Sequence, residues 1–178
     1  RGKFKVQRFK SRADLKKWAD KIGETYNKSF VNNWEYYPLT EREIKFIVDS
    51  IMVVGVPDLI KVITYNEDVV GFLLAFPDIS AALQKHKGRL TPWALVSYLH
   101  ELNHTDWLSF NGIGILPEYQ GRGGNYLLFS EIYKSANSRH FIHGELTQIA
   151  ETATQMRKDL ENLGVKPYKN HRIYGKKI

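Results

Sequence analysis

A glycine-rich loop has the residue types needed to bind an anion. Residues 120–125, with the sequence QGRGGN, follow an apolar segment at 107–116 and precede a helical pattern that includes Leu128 and Ile132. Glycines let the backbone turn its N–H groups inward, and the start of a helix adds unsatisfied donors and the positive end of its dipole. Arg122 could add a direct charge. The loop therefore predicts a diphosphate site, with a tight packing turn as the alternative.

Two well-known phosphate loops do not match this segment. The sequence has no GxxxxGK[ST] pattern, so the loop of nucleoside triphosphatases is excluded. Gly121 and Gly123 have the spacing that begins a dinucleotide fingerprint, but the third glycine of that fingerprint is missing. The diphosphate must therefore belong to another class of ligand.

A second motif with chemical potential is HExxH, at residues 100–104. In a helix, His100 and His104 would share a face that can bind zinc, with Glu101 as the base. Zinc needs a third ligand, for which Glu118 and Glu131 are the remaining candidates. We expect no metal here. A helix end whose histidines cap the last carbonyls explains the motif equally simply, and a zinc metalloprotease stays as an alternative function.

The first half of the chain predicts a strand, two helices and a hairpin. Alternation at residues 3–9 is typical of a half-buried strand. Ser11 with Asp14 begins a helix that runs to Phe30, and Thr40 with Glu43 begins a second helix. Two apolar segments are separated by a turn of Asn, Glu and Asp, which predicts antiparallel pairing of residues 59–65 and 69–76.

The second half alternates helices and strands. We expect a helical insertion at about 79–106, followed in order by a strand at 107–116, a helix at 123–138, a strand at 140–149, a helix at 152–163 and a strand at 169–175. Since this alternation is confined to the second half, the sheet should be mixed. The predicted fold class is α/β (α+β), with a mixed, mostly antiparallel sheet of about six to seven strands and helices on both faces. Residues 1–178 should form one domain.

Composition limits the partners. The 178 residues are 43% hydrophobic, contain no cysteine and no long apolar run, and carry a net charge of +7. We therefore expect a cytoplasmic protein with no membrane partner. Basic residues concentrate at 1–17, 85–89 and 166–177, which favours an anionic ligand. These charges are interleaved with acidic and apolar positions, and no zinc-finger or RNA-recognition signature is present, so we expect no nucleic acid.

Residues 113–123, with the sequence IGILPEYQGRG, closely resemble the acyl-CoA motif of the GNAT superfamily, the general-control-type N-acetyltransferases. In that motif a strand ends in a proline-led turn and a [QR]-x-x-G-x-[GA] loop. Further similarity to long, poorly characterised GNAT-like proteins is found at Trp34 with residues 38–40, at 76–78, and at 168–169 with 172–174. By this resemblance the chain is the C-terminal domain of a longer protein.

The resemblance implies an acyl-CoA-dependent N-acyltransferase, in the first instance an acetyltransferase, whose cofactor is acetyl-CoA or another acyl-CoA. The strand backbone would pair with pantetheine, the loop amides would hold the diphosphate, and a strand amide near Ile115 would stabilise the oxyanion. Glu145, on the next strand, is the candidate base acting through water, unless it is an ion-paired surface residue. The implied cofactor-binding residues are Ile113, Gly114, Ile115, Gln120, Gly121, Arg122, Gly123, Gly124 and Asn125.

Three positions depart from the family pattern. Asn125 replaces a glycine or alanine, which predicts a narrower pocket or a left-handed backbone. Ala153 and Leu160 replace an asparagine and the tyrosine that protonates the leaving thiolate, so Tyr168 or Tyr174 would have to substitute, or the thiolate would leave unassisted. A non-catalytic acyl-CoA or partner-binding module is therefore the main alternative. The acceptor, a small-molecule or peptide amine, should contact residues 23–40 and 79–106, and the sequence leaves the oligomeric state open.

Overall fold

The structure, a computed structural model, describes residues 3–33, 36–172 and 174–176. Trp34 and Ile173, on which part of the family resemblance depends, lie outside these residues. The described residues contain five strands: β1 Lys5–Gln7, β2 Ile60–Tyr65, β3 Asp68–Pro77, β4 Trp107–Ile115 and β5 His143–Leu146. Seven helices accompany them: α1 Arg12–Lys16, α2 Ala19–Phe30, α3 Glu41–Val54, α4 Ser80–Lys85, α5 Pro92–His104, α6 Gly124–Ser138 and α7 Thr154–Asn162. Short 3-10 turns occur at Pro57–Leu59 and Pro117–Tyr119.

The strands form one sheet in the order β1-β2-β3-β4-β5. The first three junctions are antiparallel, whereas β4 and β5 are parallel. The predicted fold class is thus confirmed, but the strand count is five rather than six to seven. Among the described residues, 169–172 and 174–176 form no strand. Their side chains are exposed, so the alternating pattern there has no buried face to stabilise it.

The central hairpin follows from its turn. Asn66 and Glu67 both have positive φ, 49° and 72°. Two consecutive left-handed residues are typical of the tight turn that matches the twist of paired strands. β2 and β3 are consequently antiparallel, as predicted, with Tyr65 opposite Asp68.

Apolar side chains are buried on both faces of the sheet. One cluster contains Ile63, Leu73 and Ile115 with Leu128 and Ile132 of α6. On the other face, Phe72 and Val62 pack with Leu15 of α1 and Ile22 of α2. The prediction of helices on both faces is confirmed.

The helices before β2 differ in one respect from the prediction. Ser11 Oγ accepts a hydrogen bond from the Asp14 N–H at 3.1 Å, as a helix cap should. The helix nevertheless ends at Lys16, and α2 begins separately after Trp18, so the predicted single helix is two. The second predicted helix, α3, begins with the expected reciprocal capping of Thr40 and Glu43.

α4 and α5 occupy the segment where a helical insertion was predicted. They pack against each other around Ala82, Ala94 and Tyr98, a cluster separate from the two that cover the sheet. Thr91 Oγ accepts from the Ala94 N–H at 3.3 Å, with Pro92 at the first helical position, so α5 begins as the sequence predicts.

Candidate functional site

β4 leaves part of one edge open. β5 pairs with it only from Trp107 to Phe110, and among the described residues no strand pairs with that edge at 111–115. The Leu116 N–H donates to Val70 O at 2.9 Å, toward β3. Since successive residues direct their backbone groups to opposite edges, the N–H groups of Ile113 and Ile115 face the open edge. An extended chain could therefore pair with β4 here.

The loop after β4 leads into α6, whose first turn has no side-chain cap. Gly121 and Gly123 have φ of +71° and +86°, which side-chain-bearing residues rarely adopt, and a Cβ at either would meet nothing within 4 Å. Gly123 is the N-cap of α6 and supplies no side-chain acceptor. The first amides of α6, at Gly124, Asn125 and Tyr126, are therefore donors left over from the helix. This geometry suits an anion.

Gly124 brings α6 close to the sheet. A Cβ at this position would lie 2.8 Å from Ile115 Cδ1 and 3.0 Å from Ile63 Cδ1. Both distances are shorter than ordinary carbon contacts, so only glycine fits without a shift. The start of α6 consequently lies beside the end of β4, and the amides and the open strand edge belong to one site.

Two side chains fix the loop from within. Gln120 Nε2 donates to Ile115 O at 3.0 Å, which links the loop to the open edge of β4. The Arg122 guanidinium carbon lies 5.4 Å from the centre of the Tyr119 ring, a cation–π distance. Tyr119 itself packs edge-on against Phe4. Arg122 is thus exposed but positioned beside the loop amides.

Asn125 does not adopt the left-handed backbone that was one of its two expected consequences. It is the second residue of α6 and is absent from the positive-φ residues, so that prediction is wrong. Its Nδ2 donates to Asp159 Oδ2 at 2.7 Å, and Gln155 Nε2 donates to the other oxygen at 2.8 Å. Asp159 is 7% exposed. The asparagine therefore links α6 to α7.

Glu145 lies opposite Ser109 of β4 and borders a pocket of about 270 Å³. Lys169 Nζ donates to its Oε1 at 2.8 Å. This bond, with a second from the Tyr168 hydroxyl, holds the pKa of Glu145 below its usual value, and the same bond raises the pKa of Lys169. Glu145 thus borders a pocket and is ion-paired, as the second of the two explanations has it, and its role as a base stays a prediction. The pocket is lined by Asp78, Ala81, Glu101, Thr105, Trp107, Glu145, Tyr168 and Lys169.

A second pocket, of about 440 Å³, lies where α2 meets the end of β4. Its walls come from Asn27, Lys28, Val31 and Pro38 on one side and from residues 116–118 on the other. Two segments, 23–40 and 79–106, were expected to contact an acceptor. Each of them contributes residues to a pocket that is also bordered by β4 or by the turn after it.

Ser29 is a residue that the sequence analysis missed. Its Oγ is buried without a hydrogen-bond partner among the described residues. A Cβ on Gly114 would lie 2.9 Å from the Ser29 Cβ, so α2 passes directly over β4 at this point. Ser29 belongs to no recognisable motif, and only the packing of α2 on the sheet brings it to the site.

The HExxH residues form the end of a helix. His104 Nδ1 donates to His100 O at 2.7 Å, and the two rings stack with centres 4.0 Å apart. Over the described ranges, no group of three or more His, Cys, Asp or Glu residues could hold a metal ion. Of the candidate third ligands, Glu131 is bonded to Arg8 and Lys134 instead. His104 thus bonds a carbonyl near the end of the helix, as the helix-end explanation predicts, and nothing supports a metalloprotease.

The departures from the family motif have structural consequences. Ala153 is the N-cap of α7 and provides no side-chain cap, while Leu160 is 5% exposed within the core. Of the two tyrosines that could replace the missing acid, Tyr168 borders the Glu145 pocket, whereas Tyr174 is 83% exposed. Tyr168 is therefore the better placed of the two.

Two curated relatives match the chain, each over 163 residues. Protein YghO of Escherichia coli is 29% identical, and the match covers 88% of this chain and 42% of that protein. A bacterial ceramide synthase of Caulobacter vibrioides is 23% identical, with the same shares covered. The chain thus spans about two fifths of the length of these relatives. No protein-family model matches it.

Solved structures of acetyltransferases superimpose on 90% or more of the chain. An aminoglycoside N-acetyltransferase in complex with coenzyme A gives a TM-score of 0.63 at 11% identity, covering 100% of this chain and 97% of that one. An N-acetyltransferase from Staphylococcus aureus gives 0.60 at 16% identity, covering 90% and 82%. The resemblance predicted from residues 113–123 is confirmed at the level of architecture: the fold of this chain is that of the GNAT acetyltransferases.

Proposed function

We propose that the chain is an acyl-CoA-dependent N-acyltransferase domain, which moves an acyl group from coenzyme A to an amine. One observation carries this proposal: the open edge of β4 at residues 113–115 ends beside the uncapped amides of α6. Coenzyme A has the matching chemistry, an amide-bearing pantetheine arm joined to a diphosphate. The coenzyme A complex of an acetyltransferase with the same fold supports this assignment.

The groups that would hold the cofactor are mostly backbone. The N–H and C=O groups of Ile113 would pair with the pantetheine amides, with the end of the arm beside Ile115, and the amides of residues 121–125 would hold the diphosphate with Arg122 beside them. Gly114 of β4 and Gln120 of the loop are the other residues proposed to contact the cofactor. Bound there, an acyl-CoA supplies an activated acyl group, and the Ile115 N–H would stabilise negative charge on the carbonyl oxygen.

The pocket around Glu145 suits a cationic amine. Three carboxylates line it, those of Asp78, Glu101 and Glu145, against the single ammonium of Lys169. This excess of negative charge would attract an ammonium ion before transfer. Glu145 would then take up its proton through water, after Lys169 has moved aside, and the Tyr168 hydroxyl would serve as the acid.

The acyl group and the acceptor are proposed only as classes, an acyl chain carried by coenzyme A and an amine. The fold neighbours include an enzyme that acetylates aminoglycosides, which are small-molecule amines. One relative is named a ceramide synthase, and a ceramide is a fatty amide of a long-chain amino alcohol. Both acyl chain lengths and both kinds of amine therefore belong in the test.

A non-catalytic acyl-CoA-binding module is the second candidate. The bond between Lys169 and Glu145 favours it, because a carboxylate held by an ammonium is a poor base. The burial of Leu160 at the position of the family's acid points the same way. Such a module would bind acyl-CoA without consuming it.

Release of free thiol distinguishes the two candidates. Purified protein is incubated with acetyl-CoA or palmitoyl-CoA and with a panel that contains an aminoglycoside, a polyamine and sphinganine. We expect thiol release that depends on one class of amine and falls about 10²-fold or more in Glu145→Gln, with Glu161→Gln on exposed α7 unchanged. Binding of acyl-CoA with no release for any amine would favour the module.

A further inference from the structure

α5 presents an apolar face to solvent. Trp93, Val96 and Leu99 are 81%, 62% and 61% exposed, and Leu90, just before the helix, is 77% exposed. In the sequence, Trp93, Val96 and Leu99 recur at helical spacing. In the structure α5 instead buries Ala94 and Tyr98 against α4, and the apolar residues lie on the opposite side.

This exposed side of α5 carries no lysine, arginine, aspartate or glutamate. At 100° per residue, its positions are Pro92, Trp93, Leu95, Val96, Leu99, His100 and Asn103. The outward face of an ordinary surface helix is rich in charged residues. An exposed face that is mainly apolar therefore calls for something to cover it.

The charges next to this face are all of one sign. Lys85, the last residue of α4, is exposed, and so are Lys87 and Arg89 in the connection to α5. No aspartate or glutamate occurs anywhere in residues 81–100, and the first acidic residue after them, Glu101, lines the pocket on the inner side. The surface formed by Leu90, Trp93, Leu95, Val96 and Leu99 with these three basic residues is called the α5 surface below.

Although the composition predicts no membrane partner, we infer that the α5 surface docks on a lipid bilayer that contains anionic headgroups. An interfacial helix buries an apolar face at the boundary of headgroups and acyl chains, and basic residues beside it attract anionic lipids. Tryptophan is favoured at that depth because its ring is apolar with one polar group. No helix in the described part of the chain is long and apolar enough to cross a bilayer.

Docking in this way would bring the pocket close to the membrane. Ala81 of α4 and Glu101 of α5 line the pocket from the inner side of the helix pair whose outer side forms the α5 surface. An amine delivered from the membrane surface would need only a short path to Glu145. The inference itself depends on the exposed residues and not on the proposed activity.

Vesicle sedimentation tests the inference. The protein is centrifuged with phosphatidylcholine vesicles and with vesicles of phosphatidylcholine and phosphatidylglycerol. We expect binding to the mixed vesicles, weakened about tenfold or more by the combined changes Trp93→Ser, Val96→Ser and Leu99→Ser. The matched control changes three exposed apolar residues elsewhere, Phe46→Ser, Tyr133→Ser and Ile142→Ser, and should bind like the unaltered protein.

A charge series tests the electrostatic part. Lys85→Gln, Lys87→Gln and Arg89→Gln together should abolish the preference for phosphatidylglycerol, whereas Lys16→Gln, Arg42→Gln and Lys45→Gln, with the same loss of charge, should keep most of it. Equal loss in both triple variants would overturn the assignment to this surface. So would absence of binding to either kind of vesicle by a protein whose circular dichroism is native.

Quenching by brominated lipid locates the contact. Tryptophan fluorescence should fall on binding to brominated mixed vesicles, and Trp93→Phe, which keeps the residue apolar, should lose most of the quenching while still sedimenting. Undiminished quenching in Trp93→Phe would contradict the inference. Light scattering tests whether a second copy covers the surface instead. That would be the case if the unaltered protein is a dimer that does not bind vesicles, and if the variant with serine at Trp93, Val96 and Leu99 is a monomer.

Discussion

At the scale of single residues, the bond between Glu145 and Lys169 governs how the pocket responds to pH. The bond lowers the pKa of Glu145 below its usual value of 4.5. The carboxylate and its bond are therefore fully present above pH 4.5, and they are lost as the pH falls through the lowered pKa. Lys169→Met removes the largest cause. We expect the acidic limb of the kcat/KM profile for thiol release to move to higher pH, with Lys166→Met as the control. An unmoved limb would mean that Glu145 is not the titrating base.

Asn125 supports a prediction that separates stability from binding. Asn125→Ala removes one of the two side-chain donors to the buried carboxylate of Asp159, so the free energy of unfolding in urea should fall by about 1–2 kcal/mol. Coenzyme A affinity should change less than twofold, because the asparagine side chain points to α7. Gln155→Ala provides the matched loss of the other donor. Weaker coenzyme A binding in Asn125→Ala alone would place that side chain in the cofactor site.

At the scale of elements, a buried lysine ties α6 to the sheet. Lys61 of β2 is 4% exposed, and its Nζ donates to Ser135 Oγ of α6 at 2.7 Å and to Asp58 Oδ1 at 3.4 Å. Burial raises the pKa of Asp58, but Lys61 and hydrogen bonds from Arg139 and Ser135 outweigh it, and the pKa is lowered overall.

Replacing Asp58 with asparagine should therefore destabilise the packing of α6. We expect Asp58→Asn to lower the free energy of unfolding at pH 7 by roughly 1–3 kcal/mol, because Lys61 loses its charged partner. The effect should be present above the ordinary pKa of 3.8 and vanish as the pH falls through the lowered one. Urea unfolding at several pH values measures it, with exposed Asp49→Asn as control. A loss of stability that is independent of pH would disprove the electrostatic explanation.

Elements with local signals were predictable from sequence. The β2–β3 hairpin follows from its turn residues, and α3 and α5 begin at capping residues that act over three positions. The separation of α1 from α2 and the short pairing of β5 depend on tertiary packing, which no local pattern reveals. The last strand, predicted at 169–175, does not form among the described residues of that segment, which are exposed.

The candidate site likewise contains residues that the sequence predicts and residues that only the fold brings together. The glycines at 121 and 123 are visible in sequence because their backbone conformations require them. Ser29, and Asp159 as the partner of Asn125, come to the site from helices far away in sequence, so only the fold reveals them. The bond of Glu145 to Lys169 likewise joins positions 24 residues apart.

At the scale of the whole molecule, the sheet separates two kinds of surface. α6 covers one face and carries the cofactor loop at its start, while α1 to α3 cover the other. The α5 surface lies on a helix pair with its own small core. That residues 1–178 form one domain stays a prediction. The matched relatives are longer than this chain, so the activity of a longer protein is a proposal.

Coenzyme A binding is the central claim, and calorimetric titration with two glycine variants tests it most directly. Gly123 and Gly164 both have positive φ, +86° and +78°, and at both a side chain would meet nothing within 4 Å, so leucine should strain the backbone similarly at each. We predict that the unaltered protein binds coenzyme A, that Gly123→Leu weakens binding tenfold or more, about 1.4 kcal/mol, and that Gly164→Leu leaves it unchanged. Equal affinity in the two variants, or no binding by the unaltered protein, would contradict the assignment of the loop.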